Sequence, residues 1–101
     1  MKVKLNFIPS GAHKSGTTIS SATELKPADA AGAGNAEAVL IQALTQNVRF
    51  TLDGTDPTTS LGFLLTAGND PILIPYPPGT TLKVIEAAAT ASIQYQWGNL
   101  A

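Results

Sequence analysis

Asn47-Val48-Arg49-Phe50-Thr51-Leu52-Asp53-Gly54-Thr55-Asp56-Pro57-Thr58 is the stretch whose reading decides the fold. Val48, Phe50 and Leu52 alternate with Arg49, Thr51 and Asp53, so an extended chain here has one apolar and one polar face. Asp53-Gly54 then predicts a tight turn: Gly takes φ > 0 at no steric cost, and Asp can bond its own backbone. Asp56-Pro57 ends the element, because Pro fixes φ and has no N–H for a ladder. Asp53, Gly54, Asp56 and Pro57 are therefore the structural turn, and the strand signal resumes from Leu61.

Upstream, residues 36–44 are ambiguous. Asn35 could cap a helix rich in Ala, Glu, Leu and Gln, whereas Val39-Leu40-Ile41 fits a buried strand. The Thr45-Gln46 link to the next strand suits a hairpin, and this favours the strand. Residues 27–36 are Ala, Gly, Asp and Asn without a large side chain, and they read as a loop. Residues 10–35 could form an extended, arm-like region, or ordinary surface loops with one irregular strand at 17–25. Low protection from hydrogen exchange is expected over 27–35. Residues 2–9 alternate Val3, Leu5 and Phe7 with Lys2, Lys4 and Asn6, as an edge strand with exposed lysines would.

Downstream, Phe63-Leu64-Leu65 and Ile72-Leu73-Ile74 are short apolar runs separated by Gly68-Asn69-Asp70-Pro71. Pro77-Pro78-Gly79 breaks the chain before the strand around Leu82-Lys83-Val84-Ile85. Glu86-Ala87-Ala88-Ala89 reads as a hairpin turn into a last strand bearing Ala91, Ile93, Tyr95 and Trp97, with a short Ala-rich helix over 84–91 as the alternative. About seven short strands with turn signals between them predict one all-β domain over residues 1–101. The expected architecture is a small antiparallel β-sandwich, Ig-like or jelly-roll-like.

Composition bears on function. Charged residues are 13% and hydrophobic residues 44%, against about 25% charged in an average soluble domain. Either part of the surface meets other protein, since interface cores are depleted in charge, or Thr, Ser, Asn and Gln keep it wetted. The net charge is −1 and no Lys/Arg run exists, which argues against tracking nucleic-acid phosphates. No apolar run approaches the roughly 18 residues of a membrane span. Met1-Lys2-Val3-Lys4-Leu5 lacks a following apolar region, so no signal peptide is expected. With no cysteine, neither a disulfide nor a thiolate metal site contributes.

Candidate chemistry is thin. Asp53, Asp56 and Thr58 share a turn, but a Ca²⁺ loop needs six to eight oxygens and usually a closing Glu. His13 is the only histidine and has no second His or Cys for a zinc site. No nucleophile elbow or phosphate loop is present, so neither catalysis nor a cofactor is expected. Arg49 reads as a cross-strand partner near Asp53. Tyr95 and Trp97 read as core, with Tyr76 and Trp97 the aromatic candidates for an interface.

The run Gln42-Ala43-Leu44-Thr45-Gln46 followed by Asn47 to Thr58 resembles small structural proteins of tailed-bacteriophage virions, which carry an "iQAxxQNVRxxxDGTxPT" pattern. The likeness continues through Gly62-Phe63-Leu64-Leu65-Thr66-Ala67-Gly68, Leu82-Lys83-Val84-Ile85-Glu86-Ala87-Ala88 and Ala91-Ser92-Ile93-Gln94-Tyr95. It spans roughly residues 36–97; residues 1–35 and 75–79 depart from it. A weaker likeness is to the Ig-like domain of some chitobiases, which has a "YTLDGxxPT" strand and turn. The first resemblance implies a β-sandwich on the capsid surface, a decoration or cement protein. It would bind the major capsid protein or other copies of itself, as a homo-oligomer on the virion, without nucleic acid or membrane. The alternatives are a tail or baseplate subunit and a carbohydrate- or host-surface-binding module.

Overall fold

The computed structural model describes residues 7–100, and these form an all-β sandwich. Nine strands follow in order: β1 (Phe7–Pro9), β2 (Lys14–Gly16), β3 (Thr23–Leu25), β4 (Ala38–Leu44), β5 (Val48–Thr51), β6 (Phe63–Leu65), β7 (Ile72–Pro75), β8 (Leu82–Glu86) and β9 (Ser92–Leu100). The only helical element among the described residues is one 3-10 turn, Pro27–Asp29.

The two longest strands explain the centre of the first sheet. β4 buries Val39, Ile41 and Ala43, and β9 buries Ile93, Tyr95 and Trp97, at the two-residue period of a pleated strand. They pair from Ala38↔Gly98 to Leu44↔Ser92. β7 flanks β4; β1 and β2 both flank β9 on its other side, giving the order β1-β9-β4-β7 with β2 beside β1's continuation. Gln96 fills the break between β1 and β2, its side-chain amide donating to the carbonyls of Ser10 and Gly11. The second sheet has the order β3-β8-β5-β6.

The pairings nest. β1 and β2 pair with β9, β3 with β8, β4 with β7 and β5 with β6, all antiparallel. This is one long two-stranded ribbon whose tip is the β5–β6 hairpin. Rolling the ribbon adds β4–β9 and β5–β8 and closes two sheets face to face. With β1 and β2 counted as one broken strand, this is the eight-stranded jelly roll. Between the Ig-like and jelly-roll alternatives, the strand order decides for the second.

Val39, Val48, Leu82, Val84, Ile93 and Trp97 lie wholly buried between the sheets. Each aliphatic side chain so buried contributes ~1.5–3 kcal/mol relative to exposure. Trp97 packs edge-on against Tyr76 at 4.8 Å between centroids.

Several expectations need correction. Within residues 36–44 the strand runs Ala38–Leu44, as favoured, but Thr45-Gln46 does not close a hairpin: β4 and β5 lie in different sheets. Residues 86–91 likewise cross between sheets, so β8 and β9 are not a hairpin either. Residues 14–16, expected as loop, are strand β2, and only Thr23–Leu25 of residues 17–25 is strand. Leu52 lies beyond the end of β5 and is half-buried, and Thr51, expected on the polar face, is buried under Thr55. The expected lysines of the first strand, Lys2 and Lys4, fall outside the described residues.

The alanine-rich stretch is not an arm. Ala30, Ala33 and Ala36 are part of the core, and the amides of Ala30, Ala33 and Ala36 donate to Pro27, Ala30 and Ala33 carbonyls. Small side chains permit this approach: a Cβ built on Gly11 would stand 2.7 Å from Ala31 O and from Ala33 Cβ.

Candidate interaction edge

Two open sheets leave four edges, and unpaired edge strands invite other chains unless charge or proline blunts them. β1 ends at Pro9 and β2 opens with Lys14. β7 follows Pro71 and ends in Pro75. β3 carries Glu24 and leads into Lys26-Pro27. β6, Phe63-Leu64-Leu65, has neither charge nor proline. Two of its three side chains are also bare: Phe63 is 64% exposed and Leu64 48%, beside Leu61 at 50%, while Leu65 is buried in the core.

The loop of residues 52–62 sets this edge. Asp53 Oδ1 accepts the Thr55 N–H at 3.0 Å and closes an Asx turn. That hydrogen bond holds the Asp53 carboxyl below its ordinary pKa. Gly54 sits at φ +89, as the turn motif predicted. Leu52 accepts the Thr81 N–H, which ties the turn to the start of β8. Asp56 pairs with Lys83 at 2.7 Å, and this contact raises the Lys83 pKa. Pro57 is buried. Thr58 Oγ1 accepts the amides of Ser60 and Leu61, turning the chain back towards β6.

Arg49 has a different partner from the one expected. It does not meet Asp53. Its Nε donates to Thr59 O at 3.1 Å and its Nη1 to Gly62 O at 2.9 Å. One guanidinium thus fastens the far side of the loop to the sheet. Gly62 makes the last bend at φ +126, where a Cβ would stand 3.0 Å from Phe50 O. Phe63 then packs against Phe50, with ring centroids 5.4 Å apart and the rings tilted by 42°.

Beside the edge lies an open cleft of about 520 Å³, lined by Phe50, Leu52, Asp53, Thr55, Leu61 and Phe63. The exposed strand and the cleft are contiguous through Leu61 and Phe63. The arrangement offers backbone hydrogen bonds along β6 and an apolar socket at its start. These are the two parts of recognition by strand addition. The four turn residues are brought together around it, as scaffold.

The two aromatic interface candidates separate. Trp97 is fully buried and presents no surface to a neighbour. Its indole N–H finds no acceptor among the described residues. Tyr76 is half-buried and lines a second cleft of about 780 Å³ with Glu24 and Glu37. Burial, then the Glu24 charge, raise the Tyr76 hydroxyl pKa. His13 bonds Gln94 Oε1 at 2.6 Å. Among the described residues no three His, Cys, Asp or Glu side chains gather as a metal set.

Sequence reasoning missed Leu61, Phe63 and Leu64 as surface. The signal was present as a chargeless run, but such a run also describes a buried strand. A scan against protein-family models finds no match, and neither the curated proteins nor the solved structures searched give a significant match.

Proposed function

We propose that the protein is a structural subunit of a tailed-bacteriophage virion, a capsid decoration or cement protein that binds the major capsid protein and stabilises the shell. One observation carries the reading: among the described residues, a sparsely charged sandwich leaves one unguarded apolar edge, β6, beside three guarded ones. The resemblance of residues 36–97 to phage structural proteins supplies the setting. The action is adhesive. A subunit that binds only the assembled shell shifts the equilibrium towards it by mass action. The chargeless edge suits a permanent protein contact better than a transient one. Cryo-electron microscopy of intact particles tests the reading. Density for the sandwich over the capsid lattice, with β6 against the shell, is the expected result; density only at the tail, or none, overturns it.

A second reading rests on the other cleft. Tyr76 stands beside Glu24 and Glu37 in an open groove, which pairs an aromatic face with carboxylate acceptors as a carbohydrate site would. A glycan array decides it: binding abolished by Tyr76→Ala would favour a host-surface-binding module.

A further inference from the structure

The outer faces of the two sheets differ in charge. On the second sheet, the residues that alternate with buried Leu82, Val84, Val48 and Phe50 include Glu24, Lys83 and Arg49. The first sheet has one charged residue in its described strands, Lys14, and its register with buried Tyr95 puts it on the inward side. The outer face of that sheet therefore carries no Asp, Glu, Lys or Arg in its described strands. One row across it is Ser15, Gln94 and Gln42, and the next is Gln96, Leu40 and Leu73. The glutamines are held by their own chain: Gln42 Nε2 donates to Asn69 O at 2.9 Å, Gln96 Nε2 to the Ser10 and Gly11 carbonyls, and Gln94 Oε1 is bonded to His13. A face fixed in advance loses less side-chain freedom on contact.

This face suits a second copy of itself. About a two-fold, each residue meets one from the same face. Like charges brought together in this way disfavour association, whereas an amide carries both donor and acceptor and can pair with its own kind. The area is also sufficient. The nine residues of β9 at ~3.3 Å each, and four strand positions at ~4.8 Å, span roughly 30 by 19 Å, or about 600 Å². That is the lower end of the ~600–1,000 Å² that each partner gives to a specific interface.

We infer that two copies of the chain associate through the outer faces of their first sheets, about a two-fold that runs parallel to the strands between β4 and β9. Gln42 of one copy then faces Gln94 of the other, and Leu40 faces Gln96. The exposed Asp70 follows Asn69, so it lies on the β7 side of the Gln42 row. In the dimer it comes over the opposite end of that row in the other copy, where Ser15 and His13 offer donors, and away from its own mate. A two-fold across the strands would instead bring Asp70 towards Pro75, which has no N–H to give. Strand β6 lies in the other sheet and stays free in the dimer, so the inference does not rest on the virion reading.

Sedimentation equilibrium of the full chain tests it. A reversible dimer is expected with Kd between about 1 µM and 1 mM, as befits a small interface. It should persist at ~1 M salt, where the screening length is ~3 Å, because no charge pair lies at its centre. Leu40→Lys puts a charge in the middle of the face and should weaken the dimer roughly tenfold or more. Leu73→Lys, on an edge strand, is the variant to rely on if Leu40→Lys lowers melting. Leu64→Lys, on the outer face of the second sheet, should leave the dimer unchanged. A chain that stays monomeric up to about 1 mM, an oligomer other than a dimer, a dimer dispersed by salt, or a dimer that Leu40→Lys and Leu73→Lys leave intact overturns the inference.

Discussion

Strand β5 is entered through residues 45–47 and left through residues 52–62, and the two links do opposite things. The short one carries the chain from one sheet to the other; the long one returns it beside itself as the β5–β6 hairpin. Length alone would have suggested the reverse. At the short link Thr45 takes φ +66 and Gln46 N–H reaches Leu44 O at 2.8 Å, so the chain bends sharply out of its sheet. Thr45 Oγ1 donates to Thr90 O, and Ala87 N–H to Asn47 O, which lashes this crossover to the β8–β9 crossover. The long loop is instead fastened back to its own sheet by Arg49 and by Thr81. Which strands pair is thus set by what each link is tied to.

The comparison can be broken most severely at the exit of the long loop. Gly62→Val puts a β-branched side chain at φ +126 and against Phe50 O. A loss of about 3 kcal/mol is expected, within the cost of strained backbone plus crowding, read as a large fall in Tm. Next, Arg49→Met leaves the Thr59 and Gly62 carbonyls without their donors. The expected loss is ~2 kcal/mol, typical of hydrogen bonds to a charged group, and binding at β6 should fall with it. An unchanged denaturation midpoint would mean that the guanidinium does not hold the loop.

Gly54 comes third. Its built Cβ would meet Thr81 only at 3.8 Å, so conformation rather than space restricts it. Gly54→Val should cost roughly 1–2 kcal/mol and Gly54→Asn clearly less, because Asn tolerates the left-handed region. Equal melting temperatures would count against the turn. On the short link, Thr45→Asn exchanges a strained Thr for a tolerant residue and loses the bond to Thr90 O. The two nearly offset, with a net change under about 1 kcal/mol. A larger loss would show that the lashing of the crossovers outweighs the strain.

The smallest effect is acid sensitivity. The Asp53 pKa is lowered by its bond from the Thr55 amide. A depressed folded pKa gives stability that is present above the ordinary aspartate value of about 3.9. It is lost as pH falls through the lowered value. Asp53→Asn keeps an acceptor oxygen, so its acid limb in a melting-versus-pH curve should be shallower than that of the wild type. Identical limbs would remove Asp53 from the linkage.

The amino-acid sequence by itself determined that the chain is mostly β, where its last strand lies, and that Asp53-Gly54 turns with φ > 0, while it left residues 36–44 open between helix and strand. These are local matters: two-residue alternation along Val48 and Phe50 or Ile93, Tyr95 and Trp97 records which face is apolar, and Gly records a torsion. Only the tertiary structure decided which strand lies beside which. A hairpin through 45–46 would have set Ala43 opposite Val48 and Ile41 opposite Phe50, all on one apolar face. The observed crossover buries the same four side chains from opposite layers. Alternation records a face and is blind to the partner, so both arrangements satisfy it equally. For the same reason the apolar run of β6 could not announce itself as an edge, and the alanines at 30, 33 and 36 could not announce themselves as core. Whether such residues are covered depends on what the rest of the chain brings alongside them, and this chain brings Gly11 to the alanines and leaves one side of β6 open.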